Sequence, residues 1–196
     1  MFESLALPEV LLAAVVGISL AAAVGFRIFA PMLLVGIAAK SGHLNLAGGF
    51  EWLGADAAIV MLGIAAVVEI SAYFFPYFDH LLDSISGPVA MGAGTLLMAS
   101  TLIEIEPWLR WAVALVAGGG VAGLTHFGTS LGRAGSTATT GGLANPAYAT
   151  MELGIATVLT ILAIALPLAA LVLIVYLGRR VFLLRAFRKR YLFGNL

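Results

Sequence analysis

The chain has 196 residues, of which 62% are hydrophobic and only 10% charged, and its formal net charge is zero. Soluble domains carry about 25% charged residues, so this composition, with a mean hydropathy of +1.08, excludes a soluble globular domain and points to an all-α polytopic membrane protein. The sequence holds no cysteine, which excludes disulfides, thiolate metal sites and cysteine nucleophiles.

At roughly 20 residues per spanning helix, the length allows about five crossings with short loops. Residues 1–178 are expected to form one transmembrane helical domain, with pseudo-repeats over 8–106 and 108–178, and residues 179–196 a basic amphipathic tail. The start, Met1 to Val10, carries Glu3 and Glu9 and no Lys or Arg. A secretory signal needs a basic n-region, so the first helix is expected to stay as an anchor.

The first apolar segment, about Pro8 to Lys40, is too long for one simple crossing at 1.5 Å per residue. A break is expected around Gly25-Phe26-Arg27 or at Pro31, which lacks a backbone donor. Arg27 lies deep in this segment, where translocon scales place an Arg at roughly +2.5 to +3.5 kcal/mol. Such a residue persists when a buried partner, a polar cavity or a ligand offsets that cost. A polar loop follows, Ser41 to Gly54, with Trp52 as an interfacial anchor.

The second segment, about Ala55 to Phe75, carries Glu69 in its second half. The stretch from Pro76 to Pro88 places Asp79, His80 and Asp83 together. Asp79 and Asp83 are four apart and share a helix face, so a short amphipathic or re-entrant helix is expected there. A third apolar segment runs from about Val89 to Ile105.

The fourth, about Trp108 to Leu131, contains Gly118-Gly119-Gly120 and the small-residue pairs Gly119/Gly123 and Gly128/Gly132, a spacing that lets helix backbones approach closely. It holds His126, with Arg133 just beyond. Gly135 to Pro146 is rich in hydroxyls and glycine and reads as a loop or a re-entrant segment. Asn145-Pro146 before Glu152 suits a helix start. The last apolar segment, about Met151 to Leu177, is expected to kink at Pro167. Six of the ten Lys and Arg residues fall between Arg179 and Arg190. This tail reads as an interfacial helix beside anionic lipid, which places the C-terminus in the cytoplasm by the positive-inside rule.

Ala14 to Lys40 can be laid over Ala112 to Ala138 without gaps. Gly25 then meets Gly123, Phe29 meets Phe127 and Leu33 meets Leu131. Three crossings between the copies would give them opposite topology, the inverted repeat of many secondary transporters.

Gly25-Phe-Arg27-Ile-Phe-Ala-Pro31, then Glu69 with Ala72, Pro76, Asp79, His80 and Asp83, then Gly118-Gly-Gly with His126 and Arg133, then Asn145-Pro146 and Glu152, follow one order. In that order they resemble the bacterial membrane family catalogued as domain of unknown function 4126, over nearly the whole chain. Four positions depart from the family pattern. Tyr73 stands where an Asp is usual, Ala90-Met91 where Arg-Pro is usual, and Thr129 where a Lys is usual. Glu152 alone stands for an acidic pair. An Asp and an Arg absent together is what loss of a buried ion pair as a unit would leave. The resemblance implies a fold and site positions, and no activity.

Each polar residue has a plain reading beside a functional one. Arg27 pairs with a carboxylate or helix carbonyls, or it binds an anion. Glu69 snorkels or pairs with Arg27, or it carries a proton or cation. Asp79, His80 and Asp83 form a solvated loop helix or face a cavity; two carboxylates one turn apart lack the further oxygen ligands of a Ca²⁺ site. His126 is a satisfied interhelical histidine or a ligand. Arg133, Asn145 and Glu152 are interfacial or capping residues, or they line a path.

The expected function is a small secondary transporter or channel-like carrier for a small ion or polar solute, in the bacterial inner membrane, with Arg27 and Glu69 at the core of its site. Asp79, His80, Asp83, His126, Arg133, Asn145 and Glu152 complete the candidate binding residues. The alternatives are a membrane scaffold or assembly factor that binds partner helices and lipid, and an intramembrane enzyme acting on lipid. No cofactor, resident metal or nucleic-acid partner is expected. The small-residue faces suit a homodimer.

Overall fold

The computed structural model describes residues 7–72 and 76–179, with the backbone alone for 76–84. Among them the chain is all-helical with no strand. The helices are α1 (Leu7–Phe26), α2 (Phe29–Lys40), α3 (Asp56–Ala72), α4 (Pro76–Thr101), α5 (Pro107–Val113), α6 (Gly120–Thr140), α7 (Asn145–Ala165) and α8 (Pro167–Arg179). One 3-10 turn, Glu51–Gly54, precedes α3, and a π-helical stretch, Ala114–Gly119, joins α5 to α6. Every proline except Pro88 lies in the first turn of its helix, where the missing N–H removes no helical bond.

Three helical runs are long and apolar enough to cross a membrane: Leu7–Phe26, Pro107–Thr140 and Asn145–Ala165. Helices α2 and α8 are apolar but shorter. Large apolar side chains cover the outside of the fold. Met61 on α3 is 71% exposed, with Val60, Ile64, Val67 and Val68 beside it. A surface this apolar is stable against lipid and not against water.

The first apolar segment is a hairpin and not a single broken crossing. Helix α1 ends at Phe26, the chain reverses through Arg27 and Ile28, and α2 runs back. After α2 the Ala47 N–H donates to the Ser100 carbonyl (2.7 Å) at the end of α4. A Cβ on Gly17, in the first half of α1, would meet Met98 and Thr101 of the same helix end. The end of α2 therefore lies level with the first half of α1. Pro31 falls in the first turn of α2, so the break sits at Arg27 and Ile28, upstream of the proline.

The loop of residues 41–55 and the turn of residues 102–106 share this first face. Trp52, Trp108 and Trp111 are all exposed there, the least of them by 47%, as an interfacial belt requires. The Phe50 and Trp111 rings lie 5.8 Å apart, and the Arg110 guanidinium sits 5.9 Å from the Phe50 centroid. Lys40 pairs with Asp56 across the loop.

Helix α1 is the central post, packed against α4, α6 and α7. Its stretch from Ser19 to Gly25 is wholly buried. Glycine allows the close crossings. A Cβ on Gly94 would meet the Gly118 carbonyl oxygen at 2.8 Å, and one on Gly118 would meet that of Gly94 at 2.6 Å. Gly119 and Gly123 face Thr95 and Met91 of α4, so this small-residue repeat is used within the chain, while Gly128 faces open space.

Two boundaries differ from those expected. The stretch from Pro76 to Pro88 and the third apolar segment are one helix, α4, with Pro88 inside it. The hydroxyl-rich Gly135–Thr140 stretch continues α6 and ends at Gly141, whose φ of 65° is the left-handed cap that glycine adopts freely. Helix α7 begins where a helix start is expected, at Asn145 with Pro146 in its first turn. The expected break near Pro167 is present: Leu166 leaves helical geometry at φ −143° and ψ 70°, and α8 turns back along α7. The basic tail, residues 180–196, lies outside the described residues.

Candidate functional site

The reversal at Arg27 leaves backbone donors at the start of α2 without intrahelical partners. A carboxylate from the neighbouring helix takes two of them. The Ile28 N–H donates to Glu69 Oε1 (2.9 Å) and the Phe29 N–H donates to Glu69 Oε2 (3.0 Å). Glu69 is 8% exposed. It caps α2 from α3, where its negative charge meets the positive end of the helix.

Arg27 turns the other way, toward α7. Its Nη2 donates to the Ala149 carbonyl (3.1 Å) and lies 3.3 Å from Glu152 Oε2. Arg133, on α6, brings its Nε to 3.7 Å from Glu152 Oε1. Glu152 is 1% exposed and both arginines 2%. Arg27, Glu152 and Arg133 thus form a buried cation–anion–cation row, and Glu69 supplies the second negative charge next to it. Each member of the row has at least one further interaction beyond these. Glu152 lies about 10 Å along α7 from Asn145 and about 20 Å from Ala165 at 1.5 Å per residue. The row is therefore inside the apolar span, nearer the face of the α6–α7 turn.

His126 sits one layer away on α6. Its Nε2 is 3.4 Å from the Ser86 Oγ of α4 and 3.4 Å from the Ser130 Oγ of α6. The Thr129 hydroxyl donates to the His126 carbonyl (2.9 Å). His126 is therefore a satisfied interhelical histidine, 7% exposed. Asn145 is apart from the charged row: its Nδ2 donates to the Thr137 Oγ1 (3.0 Å), tying the α6–α7 turn. Asp79, His80 and Asp83 lie on the first turns of α4, and their side chains fall outside the described residues.

Two crevices flank the row. One, about 520 Å³, opens between α3 and α4, with Ile28, Phe29, Glu69 and Ser86 at its inner end and Met61 and Val89 toward the outside. The other, about 450 Å³, lies between α1, α6, α7 and α8, lined by Phe26, Leu124, Thr129, Tyr148 and Ile174 among others. Among the described residues no group of three or more His, Cys, Asp or Glu side chains forms a metal cage.

Sequence reasoning placed Arg27, Glu69, His126, Arg133 and Glu152 among the candidate binding residues, with Arg133 and Glu152 also readable as interfacial or capping groups, and joined Arg27 to Glu69. The structure joins Arg27 to Glu152 and gives Glu69 to the start of α2. Ser86, Ser130 and the two backbone donors were not identified. A lone serine in an apolar helix carries no signal of its own, and free backbone donors appear only once the break is placed.

No curated protein and no solved structure matches this chain. The family described as a domain of unknown function (DUF4126) matches residues 14–188, nearly all of the chain, and the protein belongs to that family.

Proposed function

We propose that this protein is a small secondary carrier whose site is the buried group of Arg27, Glu69, Arg133 and Glu152, with Glu69 as the coupling group. One observation carries the reading. Four ionisable side chains converge where a membrane helix is interrupted, and one of them, Glu69, lines a crevice that opens sideways between α3 and α4. Interrupted helices with ionisable residues at the break are the usual design of secondary transporter sites, and intramembrane charges default to function. His126 and the candidates Asp79, His80 and Asp83 would line the path. The gapless match of residues 14–40 to residues 112–138 is not an inverted repeat, because α1 and the α5–α6 run both start at the first face and cross in the same direction, with Gly17 beside Met98 and Gly25 beside Ala122 and Thr125.

The orientation in a bacterial inner membrane follows from charge. The first face carries Lys40 and Arg110 as its basic residues among the described ones, whereas six Lys and Arg fall between Arg179 and Arg190, so the positive-inside rule puts that face outside and the basic tail in the cytoplasm.

The test is electrical. Proteoliposomes on a solid-supported membrane are perfused with ions, organic anions and organic cations at two pH values, with Glu69→Gln alongside. A solute-dependent current that disappears in the variant supports a carrier. A current unchanged in the variant removes Glu69 from the mechanism.

A second reading, a membrane scaffold that binds partner helices and lipid, draws on the Arg27–Glu152–Arg133 row. That row lines neither crevice and ties α6, α7 and the α1–α2 turn together. It predicts that neutralising substitutions lower stability and leave every flux unchanged.

A further inference from the structure

We propose that the α3–α4 crevice binds a lipophilic cation at Glu69, in exchange with a proton. The inference rests on the carrier reading for its transport consequence and on the crevice itself for binding. It settles the sign of the ligand, which the sequence leaves open because Arg27 favours an anion and the acids favour a cation.

Accessibility decides the sign. Both arginines of the row are 2% exposed, are engaged by Glu152, and line neither crevice. Among the described residues the α1–α8 crevice has Tyr148 as its one ionisable lining residue, and the α3–α4 crevice has Glu69. Among those residues a ligand in the second crevice therefore meets one charge, and it is negative.

That carboxylate has spare capacity. Its hydrogen bonds are the two from Ile28 and Phe29, one on each oxygen. An ionised carboxylate offers about four lone-pair sites, so about two remain for a proton or a cation.

The rest of the crevice fixes the other half of the ligand. Apart from Glu69, only Ser86 among its described lining residues carries a polar side chain. Met61, Ile64, Val68 and Ile85 line it and are each more than half exposed on helices whose surface suits lipid. A hydrated inorganic ion gains nothing from such walls, whereas a hydrophobic cation replaces lipid contacts with protein contacts and keeps one Coulombic partner in a low dielectric. About 520 Å³ is within the range of small-molecule pockets.

Cation and proton compete for the same oxygens. The charged groups that act on Glu69 among the described residues are Arg27 and Arg133. On the helices beside it, His126 stands behind Ser86, Lys40 and Asp56 are at the far ends of α2 and α3, and Asp79, His80 and Asp83 are on the first turns of α4, with side chains outside the described residues. Each bound cation therefore displaces about one proton once Glu69 is protonated in the empty site, and affinity falls about tenfold per pH unit in that range.

The test uses the full chain in detergent, with tetraphenylphosphonium as probe and tetraphenylborate as its size-matched anion. Calorimetry in weak buffer at several pH values reads affinity and proton release. The expected result is tetraphenylphosphonium binding with proton release, weakening as pH falls. Binding is lost in Glu69→Gln and also in Ile64→Trp, which fills the crevice and keeps the carboxylate. Equal binding of tetraphenylborate, binding that survives in Glu69→Gln, or no binding at any pH would overturn the proposal. Size-exclusion profiles matching the parent show that both variants are folded, and Ile64→Trp carries the test if Glu69→Gln is not. Glu69-dependent binding without flux in proteoliposomes would sink the carrier reading and leave the site standing. Flux of another solute without tetraphenylphosphonium binding would do the reverse.

Discussion

Arg27 Nη2 lies 3.3 Å from Glu152 Oε2, with both residues sealed from solvent and lipid. The pair joins the α1–α2 turn to α7, elements more than a hundred residues apart in sequence. Removing one partner leaves the other charge buried without its counter-ion, which in soluble proteins costs about 3–5 kcal/mol. Glu152→Gln is therefore expected to lower the melting temperature in detergent strongly. The double variant Arg27→Met with Glu152→Met is expected to recover only part of the loss, because Arg27 is then no longer stranded while Arg133 still lacks Glu152. A double variant as unstable as the sum of the two single variants would show that the residues act independently.

Glu69 holds two backbone donors, and its replacements should separate by how many they can still satisfy. Glu69→Gln keeps one carbonyl oxygen and so one bond, whereas Glu69→Ala leaves both Ile28 and Phe29 without the cap. Each lost cap bond is worth about 1 kcal/mol. The expected order of thermal stability is parent, Gln, Ala, with small steps. Hydrogen exchange at Ile28 and Phe29 should quicken in the same order, and unaltered exchange in the Ala variant would remove the capping role.

The glycines divide into those that a side chain would wedge open and those it would not. Gly94 and Gly118 face each other's backbone, so Gly118→Val pushes α4 from the π-helical stretch and is expected to abolish folded, monodisperse protein. Gly92 and Gly120 have nothing within 4 Å of an added Cβ. Gly92→Ala and Gly120→Ala are expected to be neutral or slightly stabilising, since alanine has the better helix propensity. Expression and gel-filtration profiles of the three variants check the contrast.

The class of the fold was legible because lipid imposes a composition that nothing else does. The break near Arg27 was legible because an arginine and a proline inside one over-long apolar run cannot both be ignored. The direction of the chain after that break was not, since α2 is apolar whether it continues α1 or runs back. From the sequence Glu152 reads as a capping or path-lining residue, because it follows Asn145-Pro146. Its role as counter-ion to Arg27 and Arg133 depends on α7 starting at Asn145 and crossing beside the α1–α2 turn. Local pattern sets where helices start, and packing between distant helices sets which charges meet. The hydroxyl-rich Gly135–Thr140 stretch misled for a related reason. Its threonines bond carbonyls one turn back, as Thr139 does to Gly135 and Thr140 to Ser136, and so stay within the helix.

The two faces can be assigned to sides because the chain has no native cysteine, so a single introduced one is the only thiol. Gly48 lies on the acidic first face with nothing near an added Cβ, and Leu143, 88% exposed, lies in the α6–α7 turn on the other. With an impermeant maleimide on intact spheroplasts, Gly48→Cys is expected to label and Leu143→Cys to stay unlabelled. Inverted membrane vesicles should reverse the pattern. The expectation follows from the basic residues: Lys40 and Arg110 on the first face, against the six Lys and Arg from Arg179, at the end of α8, to Arg190. Labelling of Leu143→Cys from outside would place the basic tail outside with it, against the positive-inside rule. The carrier would then run in the opposite sense across the membrane, with the crevice and its carboxylate unchanged.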